Sequence, residues 1–374
     1  MTDINAYLRL MVEKRASDLF FTAGAPVQMK VEGATSAIGN SPLPTGEVKR
    51  LVYPLMSDAQ IKTFEQDWEL DIGVSAKDLG RFRVNVFRQR GETAMVVRYL
   101  RSTIPAIKEL RLPELLQTLV CETRGLILIV GATGSGKSTT LASMIEHRNR
   151  TLTGHILTIE DPIEYIHHHD KSIVNQREVG VDTKSYASAL KRAMREAPDV
   201  ILIGEIRDRE TMEQAITYAE TGHLCLSTLH ATNANQTIER IMKFFPESSH
   251  SRLLMDLSLT LRAVISQRLV KGCDGKRVPA TEILLNTSFV QDLIQKGEIS
   301  NIRDTMEQTK SSGMQTFDDS LYSLFKAGSI SRNEALHHAE SHNNLALRIR
   351  LGDNPAGNPD LDLECENQDS NKTL

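Results

Sequence analysis

The sequence lacks the long hydrophobic run that a membrane-spanning helix requires. Such a helix needs about 18 consecutive apolar residues, and the longest apolar string here is the short run at 126–130. The amino-terminal residues form an amphipathic pattern interrupted by charge, without the apolar core of a secretory signal peptide. We therefore expect a cytoplasmic protein with no transmembrane segment, whose contact with any membrane is peripheral.

Excess charge of one sign and paired cysteines are also missing. With 44 Lys and Arg against 48 Asp and Glu, the net charge of −4 provides no broad cationic field for nucleic acid or anionic lipid. Aromatic residues make up 5% of the chain, and no basic segment carries them as a stacking platform for single strands. The cysteines are far apart and never form a Cys-x-x-Cys pair, which is typical of reduced thiols. We expect no nucleic-acid partner, which disfavours a DNA-translocating motor.

The chain of 374 residues is too long for one ordinary hydrophobic core, so its length favours two to three domains. Within the first hundred residues, the segment 81–88 alternates with period two and places Phe82, Val84 and Val86 on one face of a half-buried strand. This pattern predicts a small α/β domain with an antiparallel sheet over residues 1–100. The segment 101–113 carries two prolines and is interpreted as a linker.

The pattern changes after the linker to unbroken apolar runs of four to six residues. Three of these runs, at 126–130, 155–159 and 200–203, alternate with helical stretches, as expected of parallel strands buried on both faces. We therefore predict a three-layer α/β domain over residues 114–352. Residues 353–374 are rich in acidic and polar residues and are predicted to form a disordered tail.

A phosphate-binding loop lies directly after the first apolar run. Residues 131–138 match the pattern Gly-x-x-x-x-Gly-Lys-Ser/Thr, between a buried strand and a helix, as the mechanism requires. Glycines allow the backbone N–H groups to converge on one anion, Lys137 reaches the β- and γ-phosphates, and Ser138 ligates Mg²⁺. The residues predicted to bind nucleotide are Gly131, Ala132, Thr133, Gly134, Ser135, Gly136, Lys137, Ser138 and Thr139.

Nucleotide hydrolysis also needs a metal carboxylate and a group that orients water. Acidic residues follow two other apolar runs, with Glu160, Asp161 and Glu164 after the second and Glu205 after the third. Because parallel strands end at one edge of a sheet, we expect these carboxylates to face the γ-phosphate. His230 follows a further apolar strand, where it either senses the γ-phosphate or has a structural role.

These motifs occur in the order of the Walker A, Asp box, Walker B and His box motifs of the secretion ATPase superfamily. Over about residues 5–350 the chain resembles the PilT/PilU family of type IV pilus retraction ATPases. The resemblance implies a PAS-like amino-terminal domain, a RecA-like ATPase domain and a ring of six subunits. Segment 289–296 lacks the basic pair of the PilT motif, and segments 195–199 and 222–230 resemble the PilU branch.

The resemblance also assigns roles to individual residues. Glu164 resembles the catalytic glutamate that activates water, and Glu205 resembles the Walker B acid that holds Mg²⁺ together with Ser138. His230 matches the His-box residue. Arg83 and Arg98 resemble arginines that act on a neighbouring subunit's phosphates, although Arg83 on a solvated strand face is the alternative interpretation.

The function implied by the resemblance is that of an ATP- and Mg²⁺-dependent motor for pilus retraction and twitching motility. Its partners would be a PilT-type ATPase, which it assists, and the pilus platform protein, at the cytoplasmic face of the inner membrane. The alternative is a nucleotide-dependent structural or regulatory subunit that hydrolyses little ATP. The missing basic pair leaves open whether the protein drives retraction alone.

Overall fold

The computed structural model describes residues 3–31, 33–77, 79–100, 103–309 and 313–352. Its internal contacts divide the chain into two units. The first unit comprises Met1–Thr103, Pro162–His167 and Glu178–Lys184. The second comprises Ile104–Asp161, His168–Arg177 and Ser185–Leu374. The predicted tail and residues 101–102 of the predicted linker lie outside the described residues.

The first unit is an antiparallel sheet packed with helices. Its elements are α1 (Ile4–Glu13), β1 (Asp18–Phe21), β2 (Gln28–Val31), β3 (Ala34–Ala37), α2 (Glu47–Val52), α3 (Asp58–Asp67), β4 (Glu69–Ala76), β5 (Gly80–Gln89) and β6 (Glu92–Leu100). The strands pair in the order β3-β2-β1-β6-β5-β4. The alternation predicted for β5 is confirmed, because Phe82, Val84 and Val86 are buried in the core of this unit.

The second unit is a mostly parallel sheet with helices. Its elements are α4 (Leu115–Val120), β7 (Gly125–Val130), α5 (Lys137–Thr151), β8 (Gly154–Glu160), β9 (Ser172–Glu178, of which the last residue counts with the first unit), α6 (Tyr186–Ala193), β10 (Val200–Ile203), α7 (Arg209–Glu220), β11 (Leu224–Leu229), α8 (Ala234–Lys243), α9 (His250–Thr260), β12 (Leu261–Lys271), β13 (Arg277–Leu285), α10 (Ser288–Lys296), α11 (Ile302–Gln308), α12 (Phe317–Lys326), α13 (Arg332–His337) and α14 (His342–Gly352).

The order of the strands brings the ends of the predicted apolar runs together. The sheet runs β13-β12-β7-β11-β10-β8-β9, and strands β12, β7, β11, β10 and β8 are mutually parallel. Every residue of β7, β10 and β11 is buried, as predicted for strands that are covered on both faces. Their carboxyl ends therefore open at one edge of the sheet, where ligands of such folds bind.

Two elements that the sequence patterns did not indicate complete this edge. Strand β12 pairs in parallel with β7, so that Ser266 lies opposite Val130 just before the phosphate loop. Strand β13 then returns antiparallel to β12. No helix within the described residues is long and apolar enough to cross a membrane.

Candidate nucleotide site

The phosphate loop joins β7 to α5 in the conformation that its sequence requires. Gly134 and Gly136 have φ values of 79° and 90°, in the left-handed region that residues with a Cβ rarely adopt. Nothing lies within 4 Å of the position that a Cβ on Gly134 would take. The backbone at Gly134 is therefore exposed and open to a phosphate group, next to the positive end of the α5 dipole.

The side chain of Lys137 reaches back to the first residues of this loop. Its Nζ donates hydrogen bonds to the carbonyl oxygens of Gly131 at 2.9 Å and Ala132 at 3.0 Å. Ser138 and Thr139 follow in the first turn of α5 and are half-buried. The nine predicted nucleotide-binding residues thus form one continuous loop and helix start.

Glu205 lies just beyond β10 and is held from two sides. Its Oε1 is 2.9 Å from His230 Nε2, and its Oε2 accepts a hydrogen bond from Arg207 Nε at 2.7 Å. The hydrogen bond to Glu205 raises the pKa of Arg207, which therefore remains cationic. The structure brings Glu205 and His230 together just beyond the paired strands β10 and β11.

The end of β8 supplies two more carboxylates. Glu160 accepts hydrogen bonds at Oε1 from Thr158 Oγ1 at 2.6 Å and Gln176 Nε2 at 3.2 Å. Asp161 lies 3.8 Å from the guanidinium group of Arg207. These contacts show that the acidic edge is shared between β8 and β10 through one arginine, which sequence spacing alone did not establish.

Tyr186 is a residue of this edge that the motif pattern missed. Burial raises the pKa of its phenol, and the nearby Asp161, Glu160 and Glu205 add to the effect while Arg207 opposes it. Its hydroxyl lies 2.8 Å from the position that a Cβ on Gly204 would take. A glycine before Glu205 is therefore required by packing, a feature that only the structure reveals.

A cavity of about 460 Å³ opens beside the phosphate loop. It is lined by Gly131, Ala132, His230, Gln236, Arg240 and Lys243, among others. The last three belong to α8 and are exposed, so the cavity is a polar surface groove that borders the start of the loop.

Glu164 belongs to the first unit, together with the rest of segment Pro162–His167. The backbone N–H of Ile163, its neighbour, donates a hydrogen bond to Glu178 Oε2 at 3.3 Å. Burial raises the pKa of Glu178, and the charges of Arg81 and Arg83 oppose this shift. The acidic segment after β8 thus contributes Asp161 to the second unit and Glu164 to the first.

Arg83 and Arg98 lie directly opposite each other on the paired strands β5 and β6 of the first unit. Arg83 donates hydrogen bonds to both carboxylate oxygens of Asp71, at 3.1 and 3.0 Å. Arg98 donates to Asp18 at 2.8 Å, and 59% of its side chain is exposed. The two arginines therefore lie side by side on one sheet face, and each has a carboxylate partner in its own chain.

The sequence of this chain is similar to those of known proteins over most of its length. Residues 1–323 match the family described as Type II/IV secretion system protein. The chain is 52% identical over 346 residues to the type IV pilus ATPase PilU of Pseudomonas aeruginosa, covering 92% of this chain and 91% of that protein. It is 42% identical over 343 residues to the retraction ATPase PilT of the same organism, covering 92% of this chain and 100% of that protein.

A solved structure is similar to most of this chain. It is a crystal structure of the pilus retraction motor PilT with bound ADP, and the TM-score is 0.86 at 41% sequence identity. The match covers 93% of this chain and 100% of that chain. The same α/β architecture is therefore found in a protein that holds a nucleotide.

Proposed function

The chain belongs to the type II/IV secretion system protein family and is a pilus retraction ATPase, and we propose that it is an accessory motor of the PilU type. The resemblance to the PilT/PilU family and the α/β fold of a two-domain secretion ATPase, both predicted from the motifs, are confirmed. The reaction proposed is the Mg²⁺-dependent hydrolysis of ATP to ADP and phosphate.

One observation carries this proposal. The phosphate loop and the hydrogen-bonded pair Glu205 and His230 lie where the parallel strands β7, β10 and β11 of one sheet end. A loop that binds phosphates needs such a carboxylate close by if the bound nucleotide is to be hydrolysed rather than only held.

Different residues bind the phosphates, orient the metal carboxylate and activate the attacking water. The loop N–H groups and Lys137 bind the β- and γ-phosphates, and His230 orients Glu205 from the side of β11. We assign to Glu164 the activation of the attacking water, a role that requires its carboxylate to come within hydrogen-bond reach of that water.

The site suits Mg²⁺, which binds oxygen ligands and is held in such sites by one or two carboxylates and the substrate phosphates. Glu205 and Ser138 offer a carboxylate and a hydroxyl, and the open backbone at Gly134 leaves room for phosphate. When bound, Mg²⁺ neutralises charge on the transferred phosphoryl group.

The proposed assembly is a ring of six copies, in which Arg83 and Arg98 of one subunit stabilise charge at a neighbour's phosphates. Their position side by side on one sheet face supports this role. A head-to-tail interface of this kind closes into a ring when its rotation allows. We further propose that the ring works with a PilT-type ATPase on the pilus platform protein, at the cytoplasmic face of the inner membrane.

The test replaces the two residues on which binding and chemistry depend. Lys137→Ala and Glu164→Ala should each reduce ATP hydrolysis by the purified protein at least about 100-fold, because each removes a group with a direct role. Lys171→Ala is the matched control, since Lys171 also donates to a backbone carbonyl, that of Thr151 at 3.3 Å, away from the loop. Full hydrolysis by the Glu164 variant would contradict the role assigned to that residue.

The same variants separate the motor from the regulatory alternative. Pilus retraction in cells should be restored by the native protein and by Lys171→Ala, but not by Lys137→Ala or Glu164→Ala. Equal restoration by Lys137→Ala would show that hydrolysis by this chain is not needed, and the protein would then be a structural subunit of the pilus motor.

A further inference from the structure

The phosphate loop is restrained from outside by a residue that no motif includes. Gln267 lies on β12 and is only 3% exposed. Its Nε2 donates a hydrogen bond to the carbonyl oxygen of Ser135 at 2.8 Å, in the middle of the loop. Its Oε1 accepts a hydrogen bond from Thr140 Oγ1 at 2.7 Å, in the first turn of α5. One side-chain amide thus connects the loop to the start of the helix.

The approach of Gln267 also explains two glycines of the motif. A Cβ on Gly136 would lie 2.8 Å from Gln267 Nε2, and a Cβ on Gly131 would lie 2.5 Å from both the Gln267 carbonyl oxygen and Ser135 Oγ. Gly134, in contrast, has nothing within 4 Å of its Cβ position. Gly131 and Gly136 therefore make room for Gln267, whereas Gly134 leaves room for the ligand.

A restraint of this kind lowers the entropic cost of ordering a glycine-rich loop when a ligand binds. Glycine loses more backbone freedom on ordering than any other residue, so a loop that contains three glycines is costly to hold in one conformation. A loop that is already ordered before phosphate binds loses less affinity to this cost. The hydrogen bonds to Ser135 and Thr140 supply order of this kind from a strand that is itself buried.

We propose that Gln267 is a positioning residue that holds the phosphate loop in its nucleotide-binding conformation before nucleotide arrives. The inference rests on the proposed function, because it concerns how this loop binds the β-phosphate of ADP and ATP. Gln267 acts through Ser135 and Thr140 and does not touch the phosphates itself.

The test compares buried Gln267 with Gln315, a half-buried glutamine of the second unit. Gln267→Met keeps the length of the side chain and removes both hydrogen bonds. Gln315→Met is the matched control, because Gln315 Nε2 donates to Thr281 O at 2.9 Å and to Thr281 Oγ1 at 2.8 Å, outside the phosphate loop. Both variants lose two side-chain hydrogen bonds that are shielded at least in part from solvent, so both should lower the melting temperature.

Only Gln267→Met should weaken nucleotide binding. Titration with fluorescently labelled ADP, well below the melting temperature, should show a Kd raised about tenfold for Gln267→Met and changed less than about twofold for Gln315→Met. Thr140→Val, which keeps the shape of the side chain and removes one of the two hydrogen bonds, should give an intermediate increase and serves if Gln267→Met does not fold.

Two results would overturn the inference. One is a folded Gln267→Met protein that binds ADP as tightly as the native protein. The other is an equal loss of affinity in Gln315→Met, which would reveal a general effect of destabilisation. A native protein that binds neither ADP nor ATP would instead refute the proposed function, so the two failures are distinguishable.

Discussion

At the scale of single residues, the acidic edge depends on one close contact between Gly204 and Tyr186. The glycine precedes Glu205, and the phenol of Tyr186 occupies the space in which a larger residue would place its side chain. Because Glu205 is also bonded to Arg207 and His230, a shift of the backbone at Gly204 would disturb both bonds. Packing at Gly204 is thus part of what orients the carboxylate.

The first prediction concerns this contact. Gly204→Ala should lower the melting temperature, because overpacking of a core typically costs about 1–3 kcal/mol. It should also reduce ATP hydrolysis, since the Cβ would lie 2.8 Å from the Tyr186 hydroxyl and 3.3 Å from the Glu160 backbone. Adding Tyr186→Phe removes that hydroxyl and should recover part of both losses. The single variant Tyr186→Phe is the control, and equal defects in the single and double alanine variants would contradict the prediction.

At the scale of elements, β12 connects the phosphate loop to the start of α8. While Gln267 bonds to the loop, the preceding residue Ser266 donates a hydrogen bond to Glu282 Oε1 at 2.9 Å. The same carboxylate oxygen accepts from the backbone N–H of Ala234 at 2.7 Å. Ala234 begins α8, where free N–H groups and the helix dipole favour an acceptor of negative charge. Adjacent residues of one strand thus fix two elements that border the same cavity.

The second prediction is a pH dependence at Glu282. Burial raises its pKa to about 7, and the charge of Glu340 adds to this, while Ala234, Ser266 and Arg268 oppose it. The folded state therefore binds the proton more tightly than the unfolded chain, whose ordinary value is 4.5. The stabilisation is fully present below pH 4.5 and is lost as the pH rises through about 7. Its size is on the order of 3 kcal/mol.

Glu282→Gln tests this prediction because glutamine keeps an oxygen acceptor for Ala234 and Ser266 but never ionises. Its melting temperature should fall less than that of the native protein between pH 5 and pH 8. Glu239→Gln, an exposed substitution on α8, is the control and should keep the native slope. Parallel slopes for Glu282→Gln and the native protein would show that this carboxyl does not carry the effect.

These elements also show what the sequence could predict. Strands β7, β8, β10 and β11 and the whole phosphate loop were predictable, because unbroken apolar runs and the loop pattern are local signals. Strand β12 was not, because Ser266, Gln267 and Arg268 interrupt its apolar run. Gln267 is buried against partners that lie 132 and 127 residues away in the chain. Contacts of this range leave no periodic pattern in a single sequence.

At the scale of the whole molecule, the groups proposed for hydrolysis are divided between the two units. The phosphate loop, Glu205 and His230 belong to the second unit, whereas Glu164, Arg83 and Arg98 belong to the first. Neither unit by itself contains the complete set. Arg83 and Arg98 are each paired with a carboxylate in their own chain, so action on phosphate requires them to exchange that partner for a more highly charged anion.

The third prediction is that these arginines act between subunits. One variant carries Lys137→Ala and keeps its arginines, and the other carries Arg83→Gln and Arg98→Gln and keeps its loop. Glutamine retains an N–H donor for Asp18, whose side chain is only 7% exposed and is costly to leave unpaired. Each variant alone should hydrolyse almost no ATP, because every interface lacks one of the two components. In rings mixed at equal amounts, about a quarter of the interfaces combine an intact loop with intact neighbouring arginines, and a similar fraction of activity should return.

Arg50→Gln is the control for this experiment, because Arg50 also pairs with a carboxylate of the first unit, that of Glu47. It should hydrolyse ATP at the native rate. In mixtures with the Lys137 variant, the activity should fall only in proportion to the fraction of subunits that carry Lys137→Ala. Mass measurement of the mixture establishes that the variants co-assemble. Co-assembled mixtures of the first two variants that remain as inactive as their components would show that loop and arginines must belong to the same chain, and the proposed action across the interface would be wrong.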